Sequence, residues 1–155
     1  MERYSITEVI EQAVQTEKLG NAFYTTTSAK FAEHAGLKKL FDTLAAKELV
    51  HERMFAELKE IVREEEAVDW EEVTQYLRAI VESEFFLGNN KALPSLDHVK
   101  TVDDAVKFAM GFEKETLLYF HNLRDLVREK DVVDEIINEE KSHIMWLSKF
   151  QDSFK

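Results

Sequence analysis

The chain has 155 residues, 45% of them hydrophobic, with one Pro, four Gly and a formal charge of -11. That size predicts a single domain with one sizeable core, and the scarcity of helix breakers predicts an all-α protein. The acidic balance speaks against nucleic acid or an anionic membrane surface as partner but suits cations, and the absence of cysteine excludes disulfides, thiolate catalysis, Cys-ligated zinc and iron–sulfur clusters.

Residues 1–11 lack the apolar core of a leader peptide, and no later run approaches a membrane span, so the expected location is cytoplasmic. Ser5-Ile6-Thr7-Glu8 has a capping-box pattern and opens a first helix expected to reach about Phe31, with a break at Ala35-Gly36. Its inward stripe reads Ile6, Ile10, Ala13, Glu17, Gly20, Tyr24, Thr27, Phe31. One acid stands alone on that face. The second helix turns inward Leu37, Phe41, Leu44, Glu48, His51, Phe55, Leu58 and Val62, where the intrusion is a Glu-x-x-His pair one turn apart. Arg63-Glu64-Glu65-Glu66 reads as its solvated end.

Asp69-Trp70-Glu71-Glu72 starts a shorter amphipathic segment to about Leu87, with Trp70, Val73, Leu77 and Ile80 on one face. Gly88-Asn89-Asn90 ends it, and Ala92-Leu93-Pro94-Ser95 is loop. The stretch reads as a crossover carrying its own helix. Glu84 is either its polar edge or a further ligand, and Phe85-Phe86, like Trp146, are either core or a dimer contact.

Thr101 and Asp104 resemble a capping pair for a third long helix, to about Arg128, whose stripe is Val102, Val106, Ala109, Glu113, Thr116, Phe120, Leu123, Val127. After the short connection Glu129-Lys130-Asp131, an antiparallel fourth helix carries Val133, Ile136, Glu140, His143, Leu147, Phe150, Phe154. A second Glu-x-x-His thus lies inward. Glu17-Lys18 with Phe23-Tyr24 is echoed by Glu113-Lys114 with Tyr119-Phe120, a weak internal repeat of two helix pairs.

Mid-helix positions of an antiparallel bundle lie at one level, so Glu17, Glu48, His51, Glu113, Glu140 and His143 are expected to converge. Four buried carboxylates repel and are expensive to desolvate, and two divalent cations cancel their charge. Carboxylate with imidazole suits iron, manganese or zinc, and six ligands for two metals leave positions open for a small oxidant. The alternative is a metal-free polar network. Glu139 competes with Glu140, but Glu140 is on the stripe. His34, His98 and His121 read as surface histidines.

With Glu17 in Thr16-Glu17-Lys18, Glu48-Leu49-Val50-His51, Glu113 in Phe112-Glu113-Lys114-Glu115, and Glu140-Lys141-Ser142-His143, the chain resembles the rubrerythrin branch of the ferritin-like superfamily over nearly its whole length. The resemblance implies a ferritin-like four-helix bundle with a helical crossover between helices two and three, and two iron ions. It makes Glu48 and Glu140 bridging ligands, and Glu17, Glu113, His51 and His143 terminal ones. Tyr24 would be the tyrosine that hydrogen-bonds a ligand or donates to a bound oxidant; the residue alone reads equally as a core aromatic with a satisfied hydroxyl.

Two departures stand out. Rubrerythrins carry an additional Glu one turn after the third-helix ligand, and Thr116 stands here; Glu115 lies roughly 200° around the helix from Glu113 and does not replace it. The four cysteines of a rubredoxin domain are absent. The implied activity is reduction of peroxide or O2 with a separate electron donor protein, in a homodimer. A ferroxidase or iron-storage protein of bacterioferritin type shares the ligand pattern, although Leu49 occupies the place of its haem-ligating Met. A non-enzymatic helical interaction module is the remaining alternative.

Overall fold

The structure is a computed structural model that describes residues 5–62, 75, 79 and 96–154. Four long helices dominate it: α1 (Ile6–Lys30), α2 (Ala35–Ile61), α3 (Val102–Leu126) and α4 (Lys130–Asp152). The crossover helix expected over 69–87, with Trp70, Glu84 and Phe85-Phe86, lies outside the described residues except for Gln75 and Ala79, which are helical.

Local chemistry sets the helix starts. The Ser5 hydroxyl accepts from the Glu8 amide, and the Glu8 carboxylate accepts from the Ser5 amide, a reciprocal cap repeated by Thr101 and Asp104 on α3. His34 is a correction to its reading as a plain surface histidine: its Nδ1 accepts from the Leu37 amide at 3.1 Å and caps α2. The break therefore falls at residues 31–34, and Gly36 sits inside the first turn of α2. α3 stops at Leu126, where Lys130 Nζ takes the free carbonyls of Arg124 and Val127, both at 2.9 Å, and α4 begins at that lysine.

α1 packs along α2, α3 along α4, and the two hairpins meet through α1 against α3 and α2 against α4. Hydrogen bonds fix the register. Asn21 donates to the Ala45 carbonyl at 2.8 Å, and Tyr119 donates to the Val9 carbonyl at 2.8 Å. Lys30 reaches the Val99 carbonyl at 2.5 Å and ties the approach to α3 onto the end of α1.

The apolar stripes close into two clusters at opposite ends of the bundle. One contains Ile10, Phe55, Leu58, Phe120, Leu123 and Ile136; the other contains Phe23, Phe41, Leu44, Phe108, Phe112 and Leu147. Burying each such side chain contributes roughly 1.5–3 kcal/mol, which is what holds four amphipathic helices together. Phe154, expected to continue the α4 stripe inward, is half exposed because the helix ends at Asp152. Between the clusters lies a polar layer.

Candidate metal centre

Glu17, Glu48, His51, Glu113, Glu140 and His143 all lie in that layer, each with 0% of its surface exposed. Each of the four described helices contributes from its middle, where the stripe period holds the side chain inward regardless of its polarity. The six form two overlapping groups: Glu17, His51 and Glu140 in one, and Glu48, Glu113, Glu140 and His143 in the other. Within each group one ligand atom per residue lies within 4.8 Å of the others, and Glu140 belongs to both.

Around Glu140, His51 Nδ1 is 2.9 Å from Oε1 and His143 Nδ1 is 3.3 Å from Oε2. The same His143 nitrogen lies 3.5 Å from Glu113 Oε1 and 3.6 Å from Glu48 Oε1, while His51 Nδ1 is 3.7 Å from Glu17 Oε1. The two imidazole rings stack with centroids 5.7 Å apart. Glu48 stands close to a helix that yields to it. A Cβ added at Gly20 would come within 2.9 Å of Glu48 Oε2 and 2.8 Å of Phe112 Cζ, so the glycine keeps α1 out of the carboxylate's space.

Burial, followed by the negative charge of Glu48 and Glu140, pushes Glu17 well above the usual carboxylate range. Glu113 is raised well above it too, by burial and then by Glu140 and Glu48, and Glu48 is raised by burial and Glu140. Glu140 is also buried, yet the Glu113, His143 and His51 side chains around it outweigh that and hold it well below its ordinary value. Burial lowers His143, but Glu113, Glu140 and Glu48 more than offset it and push the imidazole up to about 12. This layer strains to hold protons where it lacks positive charge.

Buried polar groups ordinarily have partners. Here both oxygens of Glu17 and of Glu48, Oε2 of Glu113 and of Glu140, and both ring nitrogens of His143 make no hydrogen bond of good geometry, and His143 Nδ1 meets its three carboxylates only as ion pairs at 3.3–3.6 Å. Unpaired donor atoms in two converging groups, with a recess that a Cβ would fill, fit two divalent cations. The mix of carboxylate and imidazole suits iron, manganese or zinc.

Tyr24 is fully buried and donates to Glu113 Oε1 at 2.5 Å. Burial, then the Glu113 and Glu48 charges, raise its phenol well above the usual value, so the proton stays on the oxygen. Phe41 meets its ring edge-on at 5.0 Å, with Phe23 at 5.1 Å.

Two residues of the layer are not singled out by the sequence reading. Glu139, read there only as a rival to Glu140, places Oε2 2.5 Å from His51 Nε2. Its signal is the Glu-Glu doublet, in which the neighbour of an inward acid is turned by one helical step toward α2. Gly20 is legible only as a glycine inside a helical stripe. Among the other candidates, His98 is exposed with its ring 5.6 Å from Phe108, His121 is exposed, and Trp146 is half-buried with its ring 5.5 Å from His143.

A family model described as Rubrerythrin matches residues 8–151. The fold is similar to the crystal structure of a protein from Thermotoga maritima described as a ferritin-like diiron-carboxylate protein, with a TM-score of 0.72 and 21% identity, covering 100% of this chain and 99% of that one. No curated protein matches the chain. The ferritin-like four-helix bundle is therefore common to both chains, and no described helix is long and apolar enough to cross a membrane.

Proposed function

This chain belongs to the rubrerythrin family, and we propose that it is a di-iron oxidoreductase that reduces peroxide or O2 in the polar layer of its bundle. The observation that carries the reading is the pair of buried ligand groups sharing Glu140. Glu17 and His51 serve one ion, and Glu113 and His143 the other. Glu140 belongs to both groups and would be shared, and Glu48, 3.6 Å from His143 Nδ1 and close enough for its charge to raise Glu17, would be the second shared carboxylate. Four carboxylates against two dications leave the layer without net charge, which removes the repulsion that raises Glu17 and Glu113.

Iron bound there would supply the two electrons that, with two protons, reduce one hydrogen peroxide to two waters or one O2 to hydrogen peroxide. The residues around it do the rest. Tyr24 holds a proton at its oxygen beside Glu113 and orients that carboxylate. Glu139 fixes the ring of His51 from the far nitrogen, the arrangement that sets which nitrogen faces a metal. Phe23, Phe41 and Phe112 pack around Tyr24 and keep water from that side. On this reading, reducing equivalents come from a separate electron donor protein.

The test is anaerobic loading with Fe(II), determination of iron per chain, and stopped-flow oxidation by peroxide or by O2. Two irons per chain and faster oxidation by peroxide support the peroxidase reading. Uptake far beyond two irons under O2 would support a ferroxidase with the same ligands, and no retained iron would overturn the di-iron assignment.

A further inference from the structure

We propose that Thr116 is a binding residue for a small anionic ligand at the Glu17–His51 half of the centre. The inference rests on the dinuclear reading above and deepens it.

Thr116 follows Glu113 by one turn on the inward stripe of α3 and is fully buried. Threonine inside a helix usually turns its hydroxyl back to the carbonyl four residues earlier. Thr16 does so at 2.7 Å and Thr43 at 2.9 Å. Thr116 does not, and its Oγ1, like that of the equally buried Thr27, has no hydrogen-bond partner in the structure; of the two, Thr116 stands one turn from the ligand-group residue Glu113, whereas Thr27 lies ten residues beyond Glu17. A buried hydroxyl left unpaired costs stability that valine, of the same shape, would not.

Two hydrogen bonds place this hydroxyl. α1 and α3 run antiparallel, joined by Tyr24 to Glu113 at one end of the layer and by Tyr119 to Val9 at the other. Glu17 lies midway between Val9 and Tyr24, as Thr116 lies midway between Glu113 and Tyr119. The two therefore face the layer at one level. Side chains lean toward the N-terminus of their own helix, and for Thr116 that direction leads toward Glu113 and the ligand groups.

The half of the centre at that level is the one poorer in donors. Its group comprises Glu17, His51 and Glu140, against four residues in the other. Counting Glu48 as shared still leaves fewer than the six positions of an octahedral ion. A carboxylate at position 116 would fill a position and repel anions, whereas a neutral hydroxyl leaves it open and supplies one donor. Phe112 and Phe120, one turn to either side of Thr116 on α3, are buried and flank the hydroxyl with apolar surface.

Azide is the probe and Co(II), whose visible spectrum reports its ligands, the metal. Wild type, T116V, T116S and T116E are loaded with Co(II), assayed for metal content, and titrated with azide. Two Co(II) per chain are expected in all four. Azide affinity should fall about tenfold in T116V, the loss of roughly one hydrogen bond to a charged group. T116S should restore it, and T116E should abolish azide binding by filling the position. Equal azide affinity in wild type and T116V, no azide binding by Co(II)-loaded wild type, or loss of cobalt from T116V alone would overturn the role of Thr116 while leaving the dinuclear centre standing. Failure of wild type itself to hold Co(II) and Fe(II) would remove the dinuclear reading and this inference with it.

Discussion

Glu139 on α4 holds the outer nitrogen of His51 on α2 at 2.5 Å, while the inner nitrogen faces Glu140 at 2.9 Å. Adjacent acids thus grip opposite edges of one imidazole, one from the half-exposed rim and one from the buried layer. Partners of this kind typically change metal affinity about 10- to 100-fold when removed. E139A is expected to weaken Fe(II) binding by that factor in competition with a chelator, with helical content by circular dichroism unchanged. Wild-type affinity in E139A would show that the grip is incidental.

Gly20 meets a harder limit. Alanine is the better helix former by about 1 kcal/mol, but its Cβ would press on Phe112 and Glu48 at under 3 Å. Overpacking typically costs about 1–3 kcal/mol, and here the carboxylate is the softer neighbour. G20A is expected to bind less than two irons per chain and to melt no higher than wild type. An alanine variant that is more stable and binds two would refute the close approach.

The hydroxyl of Tyr24 partners Glu113, so Y24F should destabilise the metal-free protein by about 1–2 kcal/mol, a drop of roughly 2–8 °C in Tm by differential scanning calorimetry. Iron content should stay at two per chain. Its peroxide-dependent oxidation rate should fall by about tenfold or more if the proton held there enters the reaction.

The metal-free protein should lose stability as pH rises. His143 is raised from 6.5 to about 12, so its contribution is complete below about 6.5 and is lost progressively up to about 12. Glu17 and Glu113, raised above 4.5, act in the same direction: the fold favours their protonated forms, and that advantage fades from about 4.5 upward. Glu140 is lowered, so its contribution is present above about 4.5 and vanishes only in acid. Thermal melts should show the metal-free Tm falling between pH 6 and 9, and the gain on adding metal growing over the same interval. Loading in weak buffer should release protons.

Much of this was legible because the informative residues break a rule. Glu17, Glu48, Glu113 and Glu140 interrupt apolar stripes, and a helix period converts that interruption into a direction; all four are buried where the stripes aim them. The caps on Ser5 and Thr101 follow from side chains acting on their own neighbours. What periodicity does not carry is contact between helices. Glu139 lies off the stripe and becomes visible only when α2 stands beside α4, Gly20 acquires meaning from a ring on α3, and His34 works as a cap because the chain turns just before it.

The polar layer also divides the molecule. Each helix begins in one apolar cluster and ends in the other, and among the described residues the two clusters are separate. Side chains that bind the halves to each other are therefore largely the same ones that would bind metal. Cooperativity of unfolding then becomes a property of the centre as well as of the core: cations that reconcile the carboxylates would tie the two ends together beyond what the Tyr24–Glu113 and His51–Glu140 contacts do alone.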